Sequence, residues 1–234
     1  MDITTVLFDL DGTLLPMDMD EFTNGYFGLL TQKLAPRGYD PKRLIAAIWA
    51  GTGAMVKNDG GRSNKAAFWE EFARIFGEAA LEDMPLLEEF YAREFQQAKV
   101  FCGYNAGAAE AVRAIRASGR RVVLATNPIF PAVGTESRLR WVGLEPDDFE
   151  LVTTYENCRY CKPNVNYYRD ILDRLGLRAE ECLMVGNDLT EDGAAAELGM
   201  GVFFIPDCLI NKEGKDLNAW PHGGFEELVR FVCG

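Results

Sequence analysis

Apolar strand-like segments and helical patterns alternate along the second half of the chain, and this alternation is the feature that most constrains the fold. The strand-like segments are short and cover residues 121–125, 151–154, 182–185 and 202–205. The helical patterns around them cover residues 106–118, 135–141, 164–175, 191–198 and 225–232. Such alternation is typical of a parallel sheet with helices on both faces. The sequence therefore predicts an α/β fold with a doubly wound parallel sheet, a Rossmann-like core.

A helical stretch separates the first strand from this alternating half. Residues 3–8 are apolar and β-branched, which predicts a buried strand of the same sheet. In the following stretch, aromatic and aliphatic residues recur at helical spacing, as is typical of packed helices. We therefore expect an α/β core of residues 1–15 and 100–234, with an α-helical cap domain of residues 16–99 inserted into it.

Charge and hydropathy narrow the possible partners. The chain has 36 acidic and 24 basic residues and a formal charge of −12, which repels nucleic acid and anionic membranes at long range. No apolar run has the length of a membrane span, and the first residues lack the profile of a secretory signal. We expect a cytoplasmic protein without a nucleic-acid or membrane partner.

The six cysteines include one CxxC pair, Cys158 and Cys161. No second pair lies at zinc-finger spacing, and the sequence has a single histidine, His222. Cytosolic cysteines are normally reduced. We therefore predict ordinary thiols at this pair, with a metal or redox role as the alternative.

Two carboxylates, Asp9 and Asp11, lie at the end of the first predicted strand and are followed by Gly12 and Thr13. Side chains two residues apart on a strand point the same way, so the two carboxylates repel each other unless a cation intervenes. Mg²⁺ is the usual partner of such carboxylates near phosphates. Gly12 allows a sharp turn, and Thr13 offers a hydroxyl and an amide to an anion. A simple Asp-Gly turn is the structural alternative.

Polar residues also follow three later apolar segments, and ligands of parallel sheets bind at these carboxyl ends. Thr126 and Asn127 follow one segment, Lys162 lies beyond the next, and residues 186–192 follow the third. Taken singly, these motifs could be a turn, a solvated charge and a helix N-cap. Their joint placement predicts one site.

These four motifs resemble those of the haloacid dehalogenase superfamily, in order and spacing, over residues 1–15 and 100–210. The helical stretch is similar to the cap that members carry between their first and second motifs. Most members are Mg²⁺-dependent phosphatases that work through an aspartyl-phosphate. The resemblance therefore implies a phosphatase of this kind, with Mg²⁺ as cofactor and a small phosphorylated metabolite as substrate.

The resemblance also implies a role for each matching residue. Asp9 would be the nucleophile, and Asp11 the general acid and then the general base. Thr126, Asn127 and Lys162 would bind the phosphoryl oxygens. Asp9, the backbone carbonyl of Asp11 and an acidic residue of the fourth motif would hold Mg²⁺.

The fourth motif departs from the family pattern. Many members have Gly-Asp where this chain has Gly186-Asn187-Asp188. We expect Asp188 to be the metal ligand, because a carboxylate binds Mg²⁺ better than the amide of Asn187 does. Asp192, Asn187 and Thr13 are expected to support the site without reacting, Asp192 through water or Lys162.

Several alternatives stay open at this point. A phosphomutase of the same superfamily differs only in the phosphoryl acceptor, and a non-hydrolytic metabolite-binding protein differs in having no turnover. A metal-free dehalogenase does not need Asp11, and a receiver domain is about half as long and lacks the helical insertion. Residues 57–58 and 62–65 could present donors to the substrate or form an exposed loop. The sequence leaves the substrate and the oligomeric state undetermined.

Overall fold

The computed structural model describes residues 2–234 and centres on a sheet of four parallel strands in the order β2–β1–β3–β4. The strands are β1 (Thr5–Phe8), β2 (Arg121–Leu124), β3 (Cys182–Gly186) and β4 (Gly201–Phe204). All three strand pairs are parallel, because helical connections return the chain to the same edge each time. The predicted α/β fold with a parallel sheet is confirmed.

Helices lie on both sides of the sheet, and five of the α-helices lie between β1 and β2 in the sequence. The α-helices are α1 (Met19–Leu34), α2 (Pro41–Val56), α3 (Asn64–Phe76), α4 (Met84–Ala92), α5 (Ala106–Ala117), α6 (Ala132–Trp141), α7 (Val165–Leu175) and α8 (Phe225–Cys233). Short 3-10 segments cover Ala35–Arg37, Glu78–Asp83, Glu94–Phe101, Pro146–Asp148, Ala179–Glu181, Gly193–Leu198 and Leu217–Ala219. Within residues 2–234, none of the helices combines the length and apolarity needed to span a bilayer.

The central strand β1 places its carboxyl end level with those of its neighbours. Phe8, its last residue, lies opposite Leu124 of β2 and Val185 of β3. The four residues of β1 are buried, as expected for a strand covered on both faces. The segments that follow these three strands therefore leave the sheet side by side.

Two predicted elements differ from the structure. The predicted strand at residues 151–154 is a single bridge, in which Val152 pairs with Leu124, because the chain turns at Thr154, whose carbonyl accepts the amide hydrogen of Cys158 at 3.1 Å. The predicted helix at 191–198 is a 3-10 segment that begins at Gly193. Neither segment therefore forms the regular strand or α-helix that the sequence predicts.

The helices between β1 and α5, residues 19–101, form a block that we call the helical insert. Its aromatic side chains pack on one another and reach the core: Phe95 lies 5.2 Å from Trp141 and 6.3 Å from Phe130, measured between ring centroids. Burial of each such ring contributes about 1.5–3 kcal/mol. The division into a core of residues 1–15 and 100–234 and a cap of residues 16–99 stays a prediction.

Candidate active site

The carboxyl ends of the strands bring most of the predicted site residues around one cavity of about 670 Å³, whereas the buried side chains of Lys162 and Thr13 lie behind its lining. Asp9 and Asp11 reach it from the end of β1, Thr126 and Asn127 from the end of β2, and Asp188 from the end of β3. Thr126 is buried, and Asp9 is 7% exposed. Parallel sheets commonly bind their ligands at this edge.

Lys162 is the buried centre of this arrangement. Its Nζ donates hydrogen bonds to Oδ1 of Asp9 at 2.9 Å and to Oδ1 of Asp192 at 2.6 Å. Its backbone N–H donates to Oδ1 of Asn127 at 3.2 Å. Burial acts to lower the pKa of Lys162, but Asp192 and Asp9 outweigh it and raise that pKa well above its usual value. The ammonium therefore stays charged and joins the first and fourth motifs.

The carboxylate of Asp9 is held by two donors. Lys162 binds one oxygen, and the hydroxyl of Thr13 donates to Oδ2 at 3.0 Å. Burial, reinforced by Asp192 and Asp11 and opposed by Lys162, raises the pKa of Asp9 to about 7. A further positive charge is needed to keep this carboxylate fully ionised near neutral pH.

Asp11 is paired with an arginine that the sequence analysis missed. Nη1 of Arg138 contacts Oδ2 of Asp11, whereas Oδ1 of Asp11 is buried and has no hydrogen-bond partner among residues 2–234. Arg138 lies on α6 and is completely buried, with its guanidinium 4.1 Å from the ring centroid of Phe130. Its neighbour Arg140 has the same charge and is exposed. The sequence alone therefore does not show which of the two arginines is buried; the packing of α6 decides it.

Asp192 fixes the backbone of the fourth motif through hydrogen bonds. Its Oδ2 accepts the backbone N–H groups of Asn187 at 3.0 Å and Asp188 at 2.9 Å, while its other oxygen accepts Lys162. A Cβ atom at Gly186 would lie 2.0 Å from Oδ2 of Asp192. Glycine at this position therefore lets the carboxylate approach the backbone.

Asn187 and Asp188 face different partners. Oδ1 of Asn187 lies 3.0 Å from the hydroxyl of Thr13, whose single hydrogen it shares with Asp9, and its Nδ2 donates to the carbonyl of Cys208 at 2.7 Å. Oδ1 of Asp188 accepts the backbone N–H groups of Thr190 at 2.7 Å and Glu191 at 2.9 Å. Both of these bonds use the same oxygen of Asp188, which leaves Oδ2 for a ligand.

The first turn requires glycine at position 12. Gly12 has a φ of +83°, and a Cβ atom there would lie 2.3 Å from Nδ2 of Asn187. A side chain would be strained by the backbone conformation and would also collide with the fourth motif. The glycine thus allows the loops after β1 and β3 to touch.

The loop after β2 is anchored through its backbone. The carbonyl of Thr126 accepts the hydroxyl groups of Thr153 at 2.9 Å and Tyr167 at 2.8 Å. The side chain of Asn127 donates to Oε2 of Glu191 at 2.9 Å. Burial raises the pKa of Glu191 to about 7, with Lys162 opposing it. The sequence analysis missed Glu191, because an acid within a polar motif looks like a solvated charge.

The cavity is rich in acidic groups. Within the described chain, its lining has one basic side chain, Lys212, against eight acids: Asp9, Asp11, Asp18, Asp20, Asp188, Glu191, Asp192 and Asp207. No three Asp, Glu, His or Cys side chains in residues 2–234 are grouped closely enough to hold a metal by themselves, so Asp9, Asp11 and Asp188 do not form such a group. The Oδ2 of Asp188, which has no hydrogen-bond partner in the part of the chain that the structure describes, and the excess of carboxylates nevertheless fit Mg²⁺, which commonly uses one or two carboxylates with water and phosphate oxygens.

The polar loop of the helical insert does not face this cavity. Neither the residues 57–58 nor the residues 62–65 line it. Asn64 is fully buried and donates to the carbonyl of Pro128 at 3.2 Å, and Arg62 pairs with Glu70. These contacts attach the loop to the core, and the hypothesis that the loop presents donors to the substrate stays a prediction without support from the cavity lining.

The CxxC pair belongs to that attachment. Cys161 accepts a hydrogen bond from Nδ2 of Asn64 at 3.3 Å, and the carbonyl of Cys158 accepts the backbone N–H of Asn64 at 2.9 Å. Burial raises the pKa of Cys158 to about 12 and also raises that of Cys161. Both thiols are free and stay protonated, as predicted for ordinary cysteines.

Comparison with known proteins identifies the family. The profile of the haloacid dehalogenase-like hydrolases matches residues 3–199. The chain belongs to this family. The predicted family and the prediction of a hydrolytic enzyme are thus confirmed.

Individual relatives are distant. The chain is 23% identical to the putative phosphatase YhcW of Bacillus subtilis over 205 residues, which cover 88% of this chain and 84% of YhcW. A phosphatase of the family from Thermococcus onnurineus is 20% identical and superposes with a TM-score of 0.61 over 99% of both chains. The hydrolase YfnB of Bacillus subtilis, whose structure holds magnesium, is 20% identical with a TM-score of 0.60 over 99% of both chains. The two structural similarities concern the fold.

Proposed function

We propose that this hydrolase is a Mg²⁺-dependent phosphatase that acts on a small phosphorylated metabolite through an aspartyl-phosphate. The observation that carries the proposal is the position of Asp9, which opens into the acidic cavity while Lys162 and Thr13 fix both of its oxygens. A carboxylate held in this way is oriented for attack on an electrophile that enters the cavity.

The first half of the reaction transfers the phosphoryl group to the protein. A carboxylate oxygen of Asp9 forms a bond to phosphorus as the bond between phosphorus and the leaving oxygen breaks. Asp11 would enter this step protonated and give its proton to that oxygen, so that the alcohol leaves neutral and the resulting carboxylate is the one that pairs with Arg138. In the second half, Asp11 takes a proton from water and the oxygen of that water forms a bond to phosphorus. The bond between phosphorus and the Asp9 oxygen breaks, which releases inorganic phosphate and regenerates the Asp9 carboxylate.

Residues that follow the neighbouring strands would stabilise the negative charge on the phosphoryl group. Thr126, the side-chain amide of Asn127 and Lys162 would hold the phosphoryl oxygens, on which negative charge is spread in the transition state. Asp9, the carbonyl of Asp11 and Asp188 would hold Mg²⁺. The bound ion would offset the repulsion between the anionic nucleophile and the anionic phosphate.

The test is release of inorganic phosphate from a panel of phosphorylated metabolites, with Mg²⁺ and with EDTA. We expect release that needs Mg²⁺ and is lost in Asp9→Asn. Asp20→Asn is the matched control, because Asp20 is an exposed acid on the rim of the same cavity, and this variant is expected to keep its activity. Equal release by Asp9→Asn and the wild type would refute the covalent route, and absence of release from every ester would refute the phosphatase.

A further inference from the structure

A second cavity, of about 340 Å³, lies between the helical insert and the core, directly beside the active-site cavity. The two cavities share five lining residues, which are Met19, Ile129, Phe130, Glu191 and Lys212. The two cavities therefore adjoin at a shared wall that includes Phe130. This adjacency to the reacting centre makes the second cavity a candidate position for the leaving group of a substrate whose phosphate lies beside Asp9.

The walls of the second cavity are mainly aromatic. Phe22 and Phe27 of α1, Trp49 of α2, and Phe68 and Trp69 of α3 all line it. The ring centroids of Phe27 and Trp49 lie 5.6 Å apart with an interplanar angle of 70°, an edge-to-face contact. Such walls bind flat apolar groups by burial and by stacking.

The polar groups of these walls are largely occupied by one another. The hydroxyls of Tyr26 and Tyr91 share a hydrogen bond of 2.8 Å, and Nε1 of Trp69 donates to the hydroxyl of Tyr155 at 3.5 Å. The hydroxyl of Thr52 donates to the carbonyl of Ile48 at 3.0 Å. The aromatic walls therefore offer the hydroxyl groups of a sugar few free partners in exchange for water, and the other polar lining residues are Thr23 and three charged residues.

The charges in the second cavity also disfavour a second phosphate. Within the described chain its charged lining residues are Glu88, Glu191 and Lys212. A single lysine beside two acids does not make an anion site of the kind that a terminal phosphate requires. The lining therefore favours a leaving group that is uncharged as well as apolar.

We propose that the second cavity binds the leaving group of the substrate, and that the substrate is a phosphate monoester of an alcohol with an apolar, ring-containing body. This inference rests on the proposed phosphatase function and names the substrate class of the same site. An apolar cavity of about 150 Å³ holds one benzene ring. The volume of about 340 Å³ in this protein is therefore sufficient for a two-ring group.

The test compares three primary alkyl esters, so that the leaving oxygens are chemically similar: naphthylethyl phosphate, ethyl phosphate and glucose-6-phosphate. We expect kcat/KM for naphthylethyl phosphate to exceed the other two by about 100-fold, because a buried two-ring group removes a large apolar surface from water. A kcat/KM for glucose-6-phosphate equal to or above that for naphthylethyl phosphate would overturn the inference while leaving the phosphatase intact.

A pair of variants tests the location of the ring. Thr52→Trp places an indole in the second cavity and is expected to lower the ratio of kcat/KM between naphthylethyl and ethyl phosphate at least 10-fold. Thr31→Trp is the matched control: Thr31 also lies on a helix of the insert and donates to a backbone carbonyl, that of Phe27 at 2.8 Å, but it does not line this cavity. An equal ratio in both variants would overturn the assignment.

Binding separates this inference from the proposed function. Titration calorimetry of the product alcohol, naphthylethanol, with the wild-type protein in EDTA needs neither turnover nor a bound cation. Binding of this alcohol that Thr52→Trp weakens, without hydrolysis of any ester, would refute the phosphatase and retain the apolar site. Hydrolysis of ethyl phosphate together with undetectable binding of the alcohol would overturn the apolar site and retain the phosphatase.

Discussion

Arg138 and Asp11 form an ion pair in which the guanidinium is completely buried and the carboxylate lies at the edge of the active-site cavity. The pair uses Oδ2 of Asp11 and leaves Oδ1 without a partner among residues 2–234. The face of the guanidinium rests on Phe130, which lines both cavities. Arg138 thus fixes the orientation of the Asp11 carboxylate, and we regard it as a positioning residue.

Replacing Arg138 tests this role. Arg138→Met is expected to lower the free energy of unfolding by about 3 kcal/mol, because breaking a buried ion pair leaves one charge unpaired. It is also expected to reduce kcat more than it raises KM, because the change affects proton transfer rather than binding. Urea denaturation and steady-state kinetics measure both effects. Adding Asp11→Asn should recover part of the lost stability, and an additive double variant would contradict the pairing.

The pH dependence of stability follows from Asp9. Its pKa rises from 3.8 to about 7 in the folded protein, so between these pH values the folded state binds more protons than the unfolded state does. The free energy of unfolding must then fall as pH rises through this window. In EDTA, we expect the wild type to lose stability between about pH 4 and about pH 7, and Asp9→Asn to lose less. Glu191, with its pKa raised from 4.5 to about 7, accounts for the slope that remains.

Thermal unfolding of the two proteins across that pH range measures this difference. Asp20→Asn is again the control, because this exposed acid should leave the slope as it is in the wild type. Parallel curves for the wild type and Asp9→Asn would show that the pKa of Asp9 does not differ between the folded and unfolded states. Saturating Mg²⁺ should flatten the wild-type curve, since a bound cation favours the ionised form.

Much of the fold and the site was predictable because both depend on local patterns. The apolar runs ending at Phe8 and Leu124 identify two strands, and parallel pairing then forces the polar residues after them together. Arg138 and Glu191 were not predictable in the same way. Their importance comes from burial against Asp11 and Asn127, contacts between segments far apart in sequence.

The attachment of the polar loop at residues 57–65 to the core was not predictable for a related reason. Its composition of glycine, asparagine and charged residues is that of an exposed loop or a ligand-binding loop. Asn64, however, uses its side chain to bind the core, and nothing in the local sequence indicates which asparagine is buried. The side-chain amide of Asn64 is buried by partners such as Pro128 and Cys161 that are far away in the sequence, and such contacts leave no periodic pattern.

The ligand role of the fourth motif is testable with two alanine variants. Asp188→Ala is expected to raise the Mg²⁺ concentration needed for half-maximal phosphate release more than Asn187→Ala does, because it removes a carboxylate from the proposed metal site. Activity titrations with Mg²⁺ measure the two shifts. The opposite order would assign the metal contact to Asn187, whose Oδ1 lies 3.0 Å from the hydroxyl of Thr13.

Attachment of the helical insert to the core should depend on Asn64 far more than on its charged neighbours. Asn64→Leu keeps the size of the side chain but removes a hydrogen-bond partner from the carbonyl of Pro128 and from the side-chain amide of Asn58, which Asn64 contacts at 3.2 and 3.0 Å. Unsatisfied buried groups cost about 1–3 kcal/mol each, so thermal unfolding should occur at a clearly lower temperature. Arg62→Ala removes an exposed ion pair, worth about 0–1 kcal/mol, and should change neither stability nor the preference among phosphate esters. A shifted ester preference in Arg62→Ala would return this loop to the substrate site.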